Sequence, residues 1–263
     1  LITAHPQCDC ITRVVRCGPS LDTLVTGRVD RFWERAARTN PMGYILGRPR
    51  EAMDEGEFFA TGEADAERID ADVRPLLENR RAALEIGCGV GRLAIPMAKR
   101  FDRVVAVDVA PTMLSLVEAH GRRAGVRNID PMSPHDAAHI TDPVDLVFSY
   151  LTLQHIESAA TLRRYVTLVE RWLSPGGVAW LQVDTRPRSI AYRVRNALPD
   201  FVLPQNWRRG MRRVRRCRRW VGDVVRDCGL AVVREVGAGE AGHVLIVRRE
   251  GQSAEARATL SRS

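Results

Sequence analysis

The amino-acid sequence predicts an α/β fold organised on an open, mostly parallel sheet. Three features point there. Strand-like and helix-like segments alternate between residues 82 and 184. The strand-like segments are near-continuous apolar runs rich in Val and Ala, as expected of strands buried on both faces. A turn with glycines at 87, 89 and 91 follows the first of them. Such alternation requires right-handed crossovers and puts helices on both faces of the sheet.

Each element can be justified in order. Residues 1–29 lack a clean hydrophobic period and read as a loose extension, with a short helix expected over 30–37. Residues 40–51 hold two prolines and two glycines and read as irregular. Residues 57–79 read as a loop and then a helix capped by Thr61, with Ile69, Val73, Leu76 and Leu77 on one apolar stripe. A buried strand is expected at 82–87 and a helix at 92–101, where Pro96 is tolerable near the start. A second strand follows at 103–109 and a helix at 110–125. The third strand is placed near 126–130, ahead of Pro131 and Pro134. The fourth spans 144–150. The helix after it, 158–177, puts Leu162, Val166, Val169 and Leu173 on one face and stops at Ser174-Pro175-Gly176-Gly177. A fifth strand covers 178–184.

After Asp184 the alternation breaks. An arginine-rich insertion occupies 185–215, a helix resumes over about 216–228, and Gly229 ends it. Runs at 230–237 and 243–250 read as a hairpin-like antiparallel edge. The expected organisation is an extension at 1–29, cap helices at 30–79, a main domain at 80–250 with a possible acceptor-site cap at 185–215, and a flexible tail at 251–263.

The 263 residues suit one domain with additions. No apolar run approaches the ~18–20 residues that span a bilayer. The first residues have no basic-then-apolar leader pattern, which makes a cytoplasmic protein the expectation. The net charge of +8 is carried by 39 arginines and the single Lys99. So lopsided a ratio is as readily codon usage as guanidinium chemistry, so charge alone does not indicate nucleic acid. The six cysteines (Cys8, Cys10, Cys17, Cys88, Cys217, Cys228) form no paired C-x-x-C sites. No metal site is expected from them, and reduced thiols are.

The glycine turn carries the functional argument. Its sequence, "LEIGCGVGRLA" (84–94), has G-x-G-x-G spacing, and Glu85 stands at the end of the strand before it. A pyrophosphate would be repelled there. A ligand with an ammonium and a sulfonium would not. Asp108, at the end of the second strand, can accept from both hydroxyls of a ribose. Asp136, in "PHDAAHI" (134–140), can accept from an adenine amino group. An amino-acid end, a ribose and an adenine together describe S-adenosylmethionine.

These motifs resemble those of class I S-adenosylmethionine-dependent methyltransferases of the broad small-molecule type. The likeness rests on "LEIGCGVGRLA", "VVAVDVAPTML", "DLVFSYLTLQHI" and "LSPGGVAWLQV", in that order over about 80–184. It implies a Rossmann-like seven-stranded sheet in the order 3-2-1-4-5-7-6, with strand 7 antiparallel, flanked by helices, plus an N-terminal helical extension and a basic insertion. It further implies that Glu85, Gly87, Cys88, Gly89, Gly91 and Arg92 surround the methionyl end. Asp108, Val109 and Met113 would face the ribose and adenosine, Asp136 and Ala137 would flank the adenine, and Ser149 and Tyr150 would line the pocket. The product of the donor would be S-adenosylhomocysteine.

Methyl transfer from a sulfonium needs alignment first and a base only if the acceptor must lose a proton. His155, in "LQHI", is the candidate base, against the favoured reading of a histidine that hydrogen-bonds the backbone and shapes the pocket. Tyr44, Phe58, Phe59, Gln182 and Asp184 are candidates for acceptor contact. Their competing reading is core packing or solvated strand ends. Trp33 belongs with the same aromatic group. The crowded arginines of 207–227 are either a solvated helix face with Val214, Trp220 or Val221, and Val224 turned inward, or a clamp for an acidic acceptor or RNA. The expected activity is methylation of a small or medium organic acceptor, possibly in secondary metabolism. An RNA methyltransferase using the 207–219 cluster and a non-catalytic binding protein of the same fold are the rivals.

Overall fold

A computed structural model describes residues 27–251. The expectations for the N-terminal extension, its cysteines and the C-terminal tail lie outside the described residues. Seven strands form one sheet: β1 (Ala82–Ile86), β2 (Arg103–Val107), β3 (Ile129–Met132), β4 (Val144–Ser149), β5 (Leu173–Val183), β6 (Leu230–Val236) and β7 (His243–Arg249). Their order is β3-β2-β1-β4-β5-β7-β6. β1 pairs parallel with β2 and β4, and β7 runs antiparallel to both β5 and β6. This is the expected Rossmann-like arrangement.

Successive residues of each strand feed opposite layers. Leu84 and Ile86 join Val105, Val147 and Leu181 beneath α7 (Ala159–Trp172) and α9 (Arg218–Asp227). Ala83, Val104, Leu146 and Trp180 join the opposite layer. There they meet α3 (Glu55–Val73), α4 (Ala94–Ala98) and α5 (Pro111–Arg123). Every residue of β1 and β4 is buried, which is why both read as unbroken apolar runs apart from Glu85 and Asp145. Asp145 is tolerated at the strand start because Arg81 and Ser174 donate to its carboxylate.

Several boundaries move. The helix expected to begin after Thr61 begins at Glu55, capped by Asp54, whose carboxylate accepts from the Glu57 N–H. Thr61 lies inside it and donates to the Phe58 carbonyl. This helix packs Ala66, Ile69 and Val73 onto the sheet, so the 30–79 segment is not all cap. Pro41–Ile45 forms a short helix, α2, capped by Asn40. β3 sits three residues later than expected and includes Pro131, which an edge strand accommodates because one of its sides needs no partner. The expected stop at 174–177 is a bulge within β5, where the pairing shifts between Val144 and Leu146.

The basic insertion packs back on the N-terminal helices. It contains α8 (Ile190–Ala197) and two single-turn 3-10 segments. Gly210 backs onto the Phe32 ring of α1 (Gly27–Thr39), and Gln205 donates to the Tyr44 hydroxyl of α2. The arginine-crowded stretch is not a solvated helix face over its length. Only Arg218 onward is helical, while Arg216 is buried and donates to the Ile156 carbonyl. Val221 and Val224 do turn inward, and Val214 is half-buried with its N–H on the Gln154 carbonyl.

Helix α3 approaches the Gly87–Gly91 turn most closely at Gly62, where an added Cβ would lie 2.1 Å from the Arg92 carbonyl oxygen. Gly62→Ala is therefore expected to cost roughly 3 kcal/mol in denaturant-unfolding stability, at the upper end for overpacking. A solvent-facing control, Gly222→Ala, meets no atom within 4 Å and should be neutral or mildly stabilising.

Candidate functional site

The site lies where the carboxyl ends of β1, β2 and β4 meet, at the reversal of strand order. The turn after β1 is held by backbone bonds. Gly87 N–H and Cys88 N–H both donate to the Val107 carbonyl, at 2.7 and 3.0 Å. Gly87 has φ +82°, and a side chain there would collide with Thr152, whose Oγ1 is 2.1 Å from the would-be Cβ. Asp108 then clamps the turn. One carboxylate oxygen accepts from Gly89 N–H and the other from Ala110 N–H, each at 2.9 Å.

This geometry opens a cavity of about 1120 Å³, its mouth included. Glu85, Gly87, Cys88, Gly89, Arg92, Asp108, Val109, Met113, Tyr150 and His155 all line it, as expected from the sequence. Trp33 joins them from α1. Other expected residues stand elsewhere. Gly91 turns its backbone toward Val117 and lies outside the lining. Ser149 is fully buried between β4 and β1 and donates to the Ile86 carbonyl. Asp136 is exposed. Ser133 caps the short helix α6 (Pro134–Ala137), which turns the Asp136 carboxylate outward onto the Ser133 hydroxyl. Ala137 is buried under Trp172, whose Nε1–H donates to its carbonyl. Pro134 lines the cavity in their place.

The acceptor-side expectations are corrected in the same way. Phe58 and Phe59 stack edge to face in a small core behind the cavity wall; Met113 of that core lines the cavity, while neither phenylalanine does. Gln182 is buried and accepts from the Leu151 N–H at 2.8 Å. Asp184 is fully buried and bound by Arg186 through two nitrogens. Tyr44 faces an adjoining cleft and not the main cavity. Each fails to reach the cavity because a neighbouring element already occupies its polar or apolar face.

The electrostatics are unusual for a soluble cavity. Burial pushes the Glu85 carboxyl up to about 8, against the pull of Arg92 and with repulsion from Asp108. Its Oε2 has no hydrogen-bond partner among the described residues. Arg92 cannot neutralise it fully, because its guanidinium is 2.7 Å from Asp65 and lies over the Tyr150 ring. Burial also raises Asp108 to about 6, against its bonds from Ala110 and Gly89. Glu85 and Asp108 thus face the cavity with Arg92, itself paired with Asp65, as the cation that lines it among the described residues.

The chain is similar to methyltransferases in each comparison. Residues 83–177 match a family model described as a methyltransferase domain. A ubiquinone biosynthesis O-methyltransferase of Methylobacterium sp. (strain 4-46) is 30% identical over 198 residues, covering 71% of this chain and 72% of the relative. The chain belongs to the class I S-adenosylmethionine-dependent methyltransferases. Its fold is shared with the magnesium protoporphyrin IX methyltransferase of Synechocystis PCC 6803, solved with bound S-adenosylhomocysteine. The TM-score is 0.59 at 15% identity, over 85% of this chain and 98% of that one. An amino pentose methyltransferase from Micromonospora echinaspora, solved with S-adenosylmethionine, superposes with a TM-score of 0.56 at 17% identity, over 76% and 98%.

The methyltransferase cavity also contains residues that sequence reasoning passed over. Asp30 lines it from α1 with a buried, unpartnered Oδ1, and burial raises its carboxyl above the usual range. Tyr165 enters from α7, where burial and the carboxyls of Asp108 and Asp30 hold its phenol protonated. Its place with Leu162, Val166 and Val169 on one helical face was a readable signal. Thr152 and Leu151 follow β4. Leu151 adopts φ 59°, a left-handed conformation costly for a leucine, and the Gln182 bond secures it.

His155 of the methyltransferase sits at the rim beside Leu151. Its Nδ1–H donates to the Arg212 carbonyl at 3.3 Å, because a carbonyl can only accept. The neutral ring therefore keeps a lone pair on Nε2. The indole of Trp33 packs edge-on to it at 5.9 Å. Burial, then the nearby Arg213 charge, lowers its pKa from 6.5 to about 4. A histidine depressed in the folded state protonates more readily in the unfolded chain. The contribution of His155 to stability is therefore expected to fall as pH drops from 6.5 through 4, opposite in sign to that of the raised Glu85 and Asp108 carboxyls. Chemical denaturation at pH steps should give wild-type and His155→Gln stability slopes that differ by about one proton in that window.

Proposed function

We propose that this enzyme methylates a hydroxyl of a small or medium organic acceptor. S-Adenosylmethionine would lie along the glycine turn with its amino-acid end toward Glu85. The observation that carries this reading is the buried Glu85 carboxyl with an unpartnered oxygen at the mouth of the Gly87–Gly89 turn. A buried carboxyl with one oxygen unpartnered suits an ammonium far better than a phosphate. Asp108 would hold the ribose, and Val109, Met113 and Pro134 would pack against the adenosine.

When bound, the donor supplies an electrophilic methyl group on a good leaving group. The chain's own residues do the rest. Trp33, Leu151 and Ile156 give the cavity an apolar wall that would keep water from the reacting groups. The hydroxyl to be methylated gives its proton to Nε2 of His155, whose Nδ1–H is held by the Arg212 carbonyl. The low pKa of His155 keeps Nε2 unprotonated at neutral pH. Tyr165, held protonated, can donate a hydrogen bond to the acceptor. The name of the Methylobacterium relative, an O-methyltransferase of ubiquinone biosynthesis, supports a hydroxyl acceptor. A role in secondary metabolism belongs to the same proposal.

Calorimetry with S-adenosylhomocysteine or S-adenosylmethionine tests the donor assignment. Asp108→Ala should weaken binding by roughly 1–3 kcal/mol through loss of a charged hydrogen-bond partner. Tight NADH binding with no adenosylmethionine binding would end the reading.

The raised Glu85 pKa adds a pH signature. Free protein carries this carboxyl largely protonated below about 8, and a bound ammonium favours its ionised form. S-Adenosylmethionine binding near pH 7 should therefore release protons and tighten as pH rises toward 8. Titrations in buffers of different ionisation enthalpy will read that proton count, and Glu85→Gln should abolish it.

For the chemical step, His155→Gln should lower kcat by roughly a hundredfold or more while leaving S-adenosylhomocysteine affinity unchanged. A kcat within a few-fold of wild type would remove His155 as the base.

A further inference from the structure

A second cleft opens beside the methyl-transfer cavity. The two share Ile45, Leu151 and His155, so they adjoin with these three residues between them. Five arginines line the second cleft (Arg186, Arg195, Arg212, Arg213 and Arg215), and among the described residues no carboxylate does. The cleft is assembled from α2, the segment after β4 and the basic insertion.

The charges in it are unequally committed. Arg186 is bound to Asp184, and Arg212 faces Glu157 at 3.3 Å. Arg195 rests on the rings of Tyr192 and Trp207 and leaves a buried Nε without a hydrogen-bond partner. Arg215 lies over Tyr192 and also has a buried, unpartnered Nε. Arg213 has no carboxylate partner among the described residues, although it is half-buried next to His155. Half-buried guanidinium groups without counter-charge are costly unless something anionic joins them. Codon usage accounts as readily as chemistry for the number of arginines in the chain. It does not explain why five meet in one carboxylate-free cleft against the presumed base.

We propose that the methyl acceptor carries an anionic group, a carboxylate or a phosphate, which Arg195, Arg213 and Arg215 bind in this cleft while the hydroxyl to be methylated passes His155 into the main cavity. The inference rests on the methyl-transfer reading above and adds the substrate class. Planar guanidinium forks suit a carboxylate or phosphate through paired N–H donors. Such an anion also offsets the Arg213 charge that opposes protonation of His155. The acidic group that positions the acceptor thereby makes the histidine a better proton acceptor. Upstream chemistry must then deliver a hydroxylated acid or phosphate ester.

The test uses the full chain saturated with S-adenosylhomocysteine and four probes: benzoate, phenyl phosphate, neutral benzamide and a single-stranded RNA. Calorimetry at low salt should show benzoate or phenyl phosphate binding at least about tenfold more tightly than benzamide, and which anion binds better separates carboxylate from phosphate. Arg213→Gln should weaken that anion about tenfold, and Arg213→Lys should restore much of it. Unchanged S-adenosylhomocysteine affinity in both variants reports an intact fold. Failure of wild type to bind S-adenosylhomocysteine overturns the methyltransferase site itself. If S-adenosylhomocysteine binds, the acidic-acceptor inference alone falls on equal benzoate and benzamide affinities, on no anion binding, or on anion binding unaffected by Arg213→Gln. RNA binding far tighter than phenyl phosphate, with a steep salt slope, overturns it in favour of a nucleic-acid backbone.

Discussion

The site depends on the two-handed grip of Asp108. Its carboxylate takes one N–H from Gly89 and one from Ala110, and so ties the turn after β1 to the end of β2 and the start of α5. Val107 reinforces the join through its carbonyl. With the turn pinned, Gly87 and Gly89 hold positive φ angles that bring bare backbone to the cavity wall. The same pinning leaves Glu85 behind the turn, buried and short of a partner. A rigid backbone and an unsatisfied carboxyl are two consequences of one constraint.

Around that rigid wall the rest of the cavity is assembled from distant parts of the chain. Glu34 of α1 accepts from the backbone N–H and hydroxyl of Thr112, which docks α1 on the start of α5. That contact brings Trp33 and Asp30 over the cavity. The basic insertion leans on α1 and α2 through Gly210 and Gln205. The floor is therefore parallel-sheet scaffold, while the roof is a composite of two chain segments that share no sheet pairing. Such a division lets acceptor preference change without disturbing the donor side.

Much of this was legible in the sequence. The strand order, the glycine turn and the line of Glu85, Cys88, Arg92, Asp108, Val109, Met113, Tyr150 and His155 around one cavity follow from motifs tied to a parallel sheet. Legibility failed where a side chain's direction depends on its partners. Asp136 looked like a ligand contact, but a Ser133 cap rotates it to solvent. Gln182 and Asp184 looked like strand-end contacts, but Leu151 and Arg186 claim them. Phe58 and Phe59 looked like pocket walls and became core, since the helix that carries them begins six residues earlier than its apparent cap.

By itself the sequence determined the architecture and the kind of methyl donor. Burial on both faces dictates apolar strands, and a carboxylate before a glycine turn selects against phosphate. Both are local chemistry, written in neighbouring residues. Tertiary structure decided what lies across the cavity from that turn: Asp30, Tyr165, the left-handed Leu151 and the carboxylate-free arginine cleft. Those groups come from segments as far apart along the chain as Asp30 and Arg215. Their meeting depends on how α1 and the insertion dock, and no period or spacing along the chain encodes that.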